Sequence, residues 1–229
     1  MNEMCSCIMP TADRRMFVPA AIRYFLRQDY PKCELIVVDD GADAVADLIP
    51  PDPRVRYVRL KGKQTVGAKR NLACHLASGE IIAHWDDDDW MAHWRLGYQV
   101  THLLRQRADI CGLDKVLYYD AAAHRSWQYV YPKGRKSWVA GNTLCYTRAF
   151  WSKNPFPEIN VGEDTRFVWN SRPRRIVPLP DGAFYVALIH PGNTGPKQVQ
   201  DVCWHACPTE EIRNLMGDDW MFYANLLSD

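Results

Sequence analysis

Four consecutive carboxylates, Asp86 to Asp89, follow directly on the apolar run Ile81-Ile-Ala-His-Trp85. Adjacent carboxylates repel one another, and a hard divalent cation bound among them relieves that repulsion. In an extended chain alternate side chains share a face, which groups Asp86 with Asp88 and Asp87 with Asp89. An Asp-x-Asp pair on one face at the end of a buried strand suits a metal ion that also holds a phosphate. The plainer reading is a solvated acidic turn opening the next helix. It is weakened by the apolar strand directly before the acids and by the alternating strand and helix pattern around them. Acids also stand at two other element ends. Asp39-Asp40-Gly41 follows the apolar run Leu35-Ile-Val-Val38, and Glu163-Asp164 opens a helix, where the dipole favours anions whatever else the pair does. His190 begins a Pro-Gly loop at the end of another apolar run.

These groups need rigid elements to hold them, and the first ninety residues supply an alternating series. Residues 5–9 read as a strand closed by Pro10-Thr11, and residues 16–28 as a helix with Pro19 in its first turn, where proline is tolerated. Strand 34–41, a short helix 43–49, strand 55–60 near an edge, helix 68–77 ended by Ser78-Gly79, and strand 81–85 follow. This β-α-β-α-β-α-β order predicts a mostly parallel sheet with helices on its faces. Ligands of such sheets bind beyond the carboxyl ends of the strands, so one crevice lined by Thr11, Asp39-Asp40 and Asp86–Asp89 is expected. The second half is less regular. It predicts a long helix over 90–107, strands at 109–113, 115–119, 127–131, 141–146 and 183–189, a helical turn at 147–151, the Glu163 helix, and a terminal amphipathic helix from 209 to 227. With no internal repeat or linker, residues 1–229 are expected to form one α/β domain of two halves, 1–90 and 91–229, the second ending in a helical tail from about residue 197.

Of the 229 residues, 47% are hydrophobic and 24% charged, the balance of a globular protein and not of a disordered or coiled-coil chain. The formal charge of +1 leaves no global field to recruit nucleic acid. Two basic stretches, Arg172 to Arg175 and Lys133 to Lys136, read as solvated loops with room for an anionic acceptor. No window approaches the roughly 20 apolar residues of a membrane span, and the start lacks the pattern of a signal peptide. The expected location is cytoplasmic, with peripheral association at the inner face of a membrane as an option. Cys5, Cys7, Cys33, Cys74, Cys111 and Cys145 read as buried thiols. Cys203-Trp-His-Ala-Cys207 lacks the second pair that a zinc site needs.

Taken together, Ile8-Met-Pro-Thr11, Gln28-Asp-Tyr-Pro31, Glu34 to Gly41, Gly67-Ala-Lys-Arg-Asn71, Ala77-Ser-Gly-Glu80, Trp85 to Trp90, Gly162-Glu-Asp164 and His190 to Thr194 resemble glycosyltransferase family 2, inverting nucleotide-sugar transferases with the GT-A fold. One departure is Ala42, where the family usually has serine after Asp-Asp-Gly. The resemblance implies a metal-dependent transfer of a sugar from a nucleoside-diphosphate sugar, a UDP-sugar first, to a hydroxyl of a glycan, lipid-linked or small-molecule acceptor, as in cell-envelope polysaccharide synthesis. It implies that Thr11 lies against the base, that Asp39 or Asp40 accepts hydrogen bonds from base or ribose, and that Arg70 reaches the nucleotide. Asp88 is implied as the direct ligand of Mn²⁺ or Mg²⁺, with Asp86 on ribose or a metal-bound water and His190 as a further metal or phosphate ligand. Asp164 is implied as the catalytic base, and Glu163 as the residue that orients the acceptor. His84 and His93 read as structural. Trp127, Trp138, Trp151 and Trp169 are candidates to stack on an acceptor sugar, although core packing is the commoner role of a tryptophan. Two other readings stand beside this one: a non-catalytic nucleotide- or glycan-binding module on the same fold, and a sugar-phosphate nucleotidyltransferase. The second is disfavoured because Pro10-Thr-Ala-Asp13 is not a glycine-rich loop.

Overall fold

A computed structural model describes residues 3–170, 175–195 and 197–226. The chain begins with β1 (Cys5–Thr11), α1 (Val18–Leu26), β2 (Cys33–Asp39), β3 (Val55–Arg59), α2 (Val66–Leu76) and β4 (Ile81–His84). Then follow β5 (Trp90–Met91), α3 (Arg95–Arg105), β6 (Ile110–Gly112), β7 (Lys115–Asp120), β8 (Arg125–Val130), β9 (Cys145–Thr147) and α4 (Arg148–Lys153). The remainder comprises α5 (Glu163–Asn170), β10 (Ile176–Pro178), β11 (Tyr185–Ile189), β12 (Trp204–Cys207), α6 (Thr209–Met216) and α7 (Trp220–Asn225). Among the described residues no helix is long and apolar enough to cross a membrane.

The main sheet has the order β10-β6-β9-β4-β1-β2-β3. β1 pairs in parallel with β2 and β4, and β2 with β3, as the alternating sequence pattern predicts. Its central strands β1, β2 and β4 are buried on both faces, so their sequences are mostly apolar, whereas the edge strand β3 alternates apolar residues with exposed Arg56 and Arg59. Alternate residues sort cleanly between two hydrophobic cores: Cys7, Met9, Leu35 and Val37 face α1, α3 and the second sheet, while Ile8, Ile36 and Val38 face α2, α4 and α5. Each fully buried aliphatic side chain contributes roughly 1.5–3 kcal/mol. The six thiols from Cys5 to Cys145 are all free and buried. In this register Thr11 lies beside Asp39, and Ile8 beside His84, so the carboxyl ends of β1, β2 and β4 lie at the same edge of the sheet.

Several elements depart from the sequence reading. The helix expected over 90–107 starts only at Arg95, because Trp90 and Met91 pair with Val186 and Tyr185 as a short strand. A five-stranded second sheet, β12-β8-β7-β11-β5, is built from this pairing and from β12, where the sequence suggests only a fragment of a cysteine motif. Residues 141–143 form a 3₁₀ turn before β9 rather than its first half. The 43–49 segment keeps only a three-residue 3₁₀ turn, Ala46–Leu48. The terminal helix breaks at Gly217, whose φ of +57° no continuing helix accepts. Helix α2 starts two residues early because Thr65 caps it, its hydroxyl accepting from the Ala68 amide at 3.2 Å.

Candidate active site

The carboxyl ends of β1 and β4, the start of α5, and the loop after β11 enclose a cavity of about 820 Å³. Of the residues singled out in the sequence, Thr11, Arg70, Asp86, Asp88, Glu163 and Asp164 line it. His190 reaches its edge, with Nε2 2.9 Å from Asp88 Oδ2.

The four acids lie in a bend after β4 rather than in an extended strand, and they divide by the partners they take. Asp87 and Asp89 are turned into protein: Asp87 accepts from the Thr11 hydroxyl at 2.6 Å, and Asp89 from the Tyr185 hydroxyl and, at 2.8 Å, from the Leu188 amide. Asp86 and Asp88 keep more of their side chains open, 25% and 12%. Burial pushes the Asp87 carboxyl up to about 7, with the neighbouring Asp88 charge adding and Arg14 and Thr11 opposing. Burial also raises Asp86, with Arg70 opposing it, and raises Asp89 well above the usual carboxylate range. Asp88 goes the other way: burial works against ionisation, but the His190 hydrogen bond and the Arg14 charge outweigh it and hold the carboxyl below its ordinary value. So Asp88 is the firm anion of the four.

Among the described residues no group of three or more His, Cys, Asp and Glu side chains is arranged to hold a metal by itself. The donor set still fits a hard cation of the kind that takes one or two carboxylates and completes its shell with water and ligand phosphates. Asp86 and Asp88 both line the cavity, and the His190 imidazole lies beside Asp88.

At the α5 side of the cavity, Glu163 and Asp164 start the helix but have different partners. Glu163 is 5% exposed and bound by Arg70 Nε at 3.2 Å. Burial raises its carboxyl, with the Arg70 charge opposing. Asp164 is more open and accepts the Thr165 amide at 2.6 Å. It rests against Gly141: a Cβ built there falls 1.6 Å from Asp164 Oδ2. Arg70 also reaches Asp86, at 3.5 Å, and His84, at 2.6 Å. Burial and the adjacent Arg70 charge hold the His84 ring well below the ordinary histidine range, so it is neutral.

Asp39 and Asp40 stand behind the cavity wall, and both carboxylates are spent on the protein itself. Asp39 is fully buried. It accepts from the amides of Gly41 and Val45 and from the Tyr57 hydroxyl at 2.8, 3.1 and 2.7 Å, with Arg59 at 3.2 Å. Asp40 holds Lys69 Nζ at 2.8 Å and the Gln64 amide at 2.7 Å; burial opposes its ionisation, but these bonds prevail and lower its carboxyl. Their neighbours Lys69 and Gln64 face the cavity in their place.

Of the four candidate tryptophans, Trp138 lines the cavity, stacked on Tyr131 at 4.9 Å, with Nε1–H 3.4 Å from the Thr165 hydroxyl beside Asp164. Trp151 is core, donating to Asn71 at 3.0 Å. Of the basic stretches, Lys133 to Lys136 is an exposed loop outside the cavity, while Arg172, Pro173 and Arg174 lie outside the described residues. Sequence reasoning missed Arg14, which sits 3.2 Å from Asp88 and 2.8 Å from His190. It also missed Lys69, which ties the Thr11 carbonyl to Asp40. Arg14 follows a strand end by three residues, a signal available in the sequence. Lys69 sits beside Arg70 in the same helical motif.

The sequence profile of Glycosyl transferase family 2 matches residues 6–159. WcaA of Escherichia coli K12, a glycosyl transferase assigned to colanic acid biosynthesis, is 37% identical over 106 residues, 44% of this chain and 38% of that protein. The UDP-Glc:alpha-D-GlcNAc-diphosphoundecaprenol beta-1,3-glucosyltransferase WfgD of Escherichia coli is 31% identical over 108 residues, 45% of this chain and 42% of that one. The chain thus spans about two fifths of the length of these relatives. Among solved structures, residues 1–349 of S. aureus TarS in complex with UDP-GlcNAc superpose with a TM-score of 0.65 at 20% identity, covering 83% of this chain and 60% of that one. The mannosyltransferase PcManGT of Pyrobaculum calidifontis, in complex with GDP-Man and Mn2+, gives 0.63 at 18%, covering 99% and 70%. At these identities the likeness carries the fold.

Proposed function

Because the chain belongs to Glycosyl transferase family 2 and has the GT-A fold, we propose that it moves a glycosyl group from a nucleoside-diphosphate sugar to an acceptor hydroxyl. The observation that carries this reading is the meeting of Asp86 and Asp88 with Asp164 on one cavity. Acids fit to manage a diphosphate thereby share a space with an acid fit to take a proton.

In this reading the diphosphate lies over Asp86 and Asp88, and the nucleoside runs toward Thr11 and the Lys69–Asp40 pair. Asp39 and Asp40 act as positioning residues, fixing the Gly41 turn, Gln64 and Lys69 at the base end. Asp88, Asp86 and His190 would hold Mn²⁺ or Mg²⁺. When bound, the cation supplies positive charge against the departing nucleoside diphosphate. The acceptor oxygen attacks the anomeric carbon from the side opposite the diphosphate, and Asp164 takes its proton. The bond to the β-phosphate oxygen breaks with its electron pair, so the configuration inverts. Arg70 holds Glu163 beside this centre, and Trp138 offers a face to an acceptor sugar.

This donor class is supported by a relative whose name carries UDP-Glc and by structural neighbours in complex with UDP-GlcNAc and GDP-Man. We place a UDP-sugar first and a cell-envelope glycan on a lipid diphosphate as the acceptor class, with the protein working at the inner face of a membrane. Titration of UDP with and without Mn²⁺, repeated on Asp88→Ala, tests the reading. Metal-dependent binding that the substitution abolishes supports it. GDP binding in place of UDP moves the donor, and no nucleotide binding at all sinks the transferase reading.

A further inference from the structure

His84 sits where the two sides of the cavity meet, and nothing in the proposed chemistry uses it. It is the last residue of β4 and fully buried. Its Nδ1 lies 2.6 Å from Arg70 Nη1 and 2.6 Å from the Gly141 carbonyl, and its Nε2 lies 3.4 Å from the Tyr146 hydroxyl. Each neighbour leads to a different part of the site. Arg70 spans Asp86 and Glu163. Gly141 is the residue against which Asp164 rests. Tyr146 closes the back of the ring and is 3.4 Å from Cys74 Sγ.

One ring nitrogen cannot serve two such partners. Arg70 offers only N–H groups, and the Gly141 carbonyl only lone pairs. If Nδ1 carries the proton, it donates to Gly141 and confronts the guanidinium N–H. If Nδ1 is bare, it accepts from Arg70 and turns a lone pair toward the Gly141 carbonyl, and Nε2–H is free to donate to Tyr146. A protonated ring would set two cations 2.6 Å apart with no access to water, so the choice lies between the two neutral forms. The second form makes a charge-assisted bond to Arg70, roughly twice as strong as a neutral one. It also lets every donor in the row find an acceptor: Arg70 to His84, His84 to Tyr146, and Tyr146 to Cys74. The Gly141 carbonyl keeps the Leu144 amide, at 3.4 Å.

We propose that His84 is a positioning residue that acts through Arg70: its Nδ1 accepts from the guanidinium and fixes it between Asp86 and Glu163, tying the nucleotide end of the cavity to the acceptor end. This rests on the transferase reading only for what the nucleotide does; the bond itself does not. Without the imidazole, Arg70 Nη1 is buried with no acceptor at this position, and the guanidinium is free to tilt off Asp86.

Two measurements test this. Long-range ¹⁵N–¹H correlation spectra of the ¹⁵N-histidine protein read the tautomer with no nucleotide present. The proton on Nε2 is expected; a proton on Nδ1 means that His84 holds Gly141 instead and overturns the proposal. The second is titration of UDP with Mn²⁺ into wild type, His84→Asn and His84→Leu. Asparagine places an acceptor oxygen where Nδ1 stands, whereas leucine fills the space without one. His84→Leu is expected to weaken UDP binding about tenfold, the size of one lost hydrogen bond to a charged group, while His84→Asn binds like wild type. A merely structural histidine would lower the melting temperature of both variants and leave the UDP affinity of the folded protein unchanged, which overturns the proposal. A wild type with the Nε2 proton but no affinity for any nucleotide would sink the transferase reading while leaving the His84–Arg70 bond standing.

Discussion

Glu163 and Asp164 are adjacent in sequence, yet Arg70 takes the first and leaves the second to the cavity. The expected consequence is a split between variants. Asp164→Asn should lower turnover by about 10²–10⁴-fold, the usual worth of a general base, with UDP affinity unchanged. Steady-state kinetics alongside calorimetry checks this, and an active Asp164→Asn protein would remove the base assignment. The acid run gives a pH prediction with a definite sign. The Asp87 carboxyl is raised from its ordinary value to about 7, and Asp86 is raised as well. A raised acid favours the folded protein most below its unfolded pKa, and that contribution is lost as pH rises through about 7. A cation held by Asp86 and Asp88 binds their ionised forms, so the raised Asp86 must lose its proton first, and affinity grows as pH rises. The rise in melting temperature produced by Mn²⁺ should therefore be larger at pH 8 than at pH 6. A shift that shrinks with pH would mean that the cation binds elsewhere.

Elements place these residues through features that differ in how readily the sequence displays them. The Thr65 cap fixes the start of α2 and with it the direction of Lys69 and Arg70. Thr65→Ala should cost about 1 kcal/mol in urea unfolding. Gly141 has no room for a side chain, since its Cβ position falls on the Asp164 carboxylate. Gly141→Ala should impair turnover more than nucleotide binding, because the displaced group is the base we propose. Equal loss of both would point to a general collapse of the turn. The parallel strands, their apolar runs and the acids at their ends were legible because period-two burial and helical spacing are local patterns. The second sheet was not: Trp90-Met91 carries no strand signal of its own and becomes a strand only because Tyr185 and Val186 arrive beside it from far along the chain. The same holds at the site. Asp86 and Asp88 could be read from type and position, and Asp164 from the family resemblance. The withdrawal of Asp39 and Asp40 onto Lys69, Gln64 and Tyr57 depends on partners that only the fold assembles.

At the scale of the whole molecule, the two halves suggested by the sequence are not two pieces in space. β9, from the second half, lies antiparallel between β4 and β6, its Thr147 opposite Ile81 and its Cys145 opposite Ala83. A fragment ending at residue 90 would leave β4 as a bare sheet edge, with open N–H and C=O groups and one apolar face uncovered. Such a fragment is expected to aggregate and to lack a cooperative thermal transition by circular dichroism. β7 and β8 belong instead to the second sheet and leave the main sheet unbroken. The natural unit of exchange between relatives is therefore the hairpin they form, not the sequence half: grafting residues 114–138 from another family member should yield a folded protein with its nucleotide affinity intact and a changed choice of acceptor, whereas a graft that begins at residue 91 removes a plank from the floor on which the nucleotide side stands.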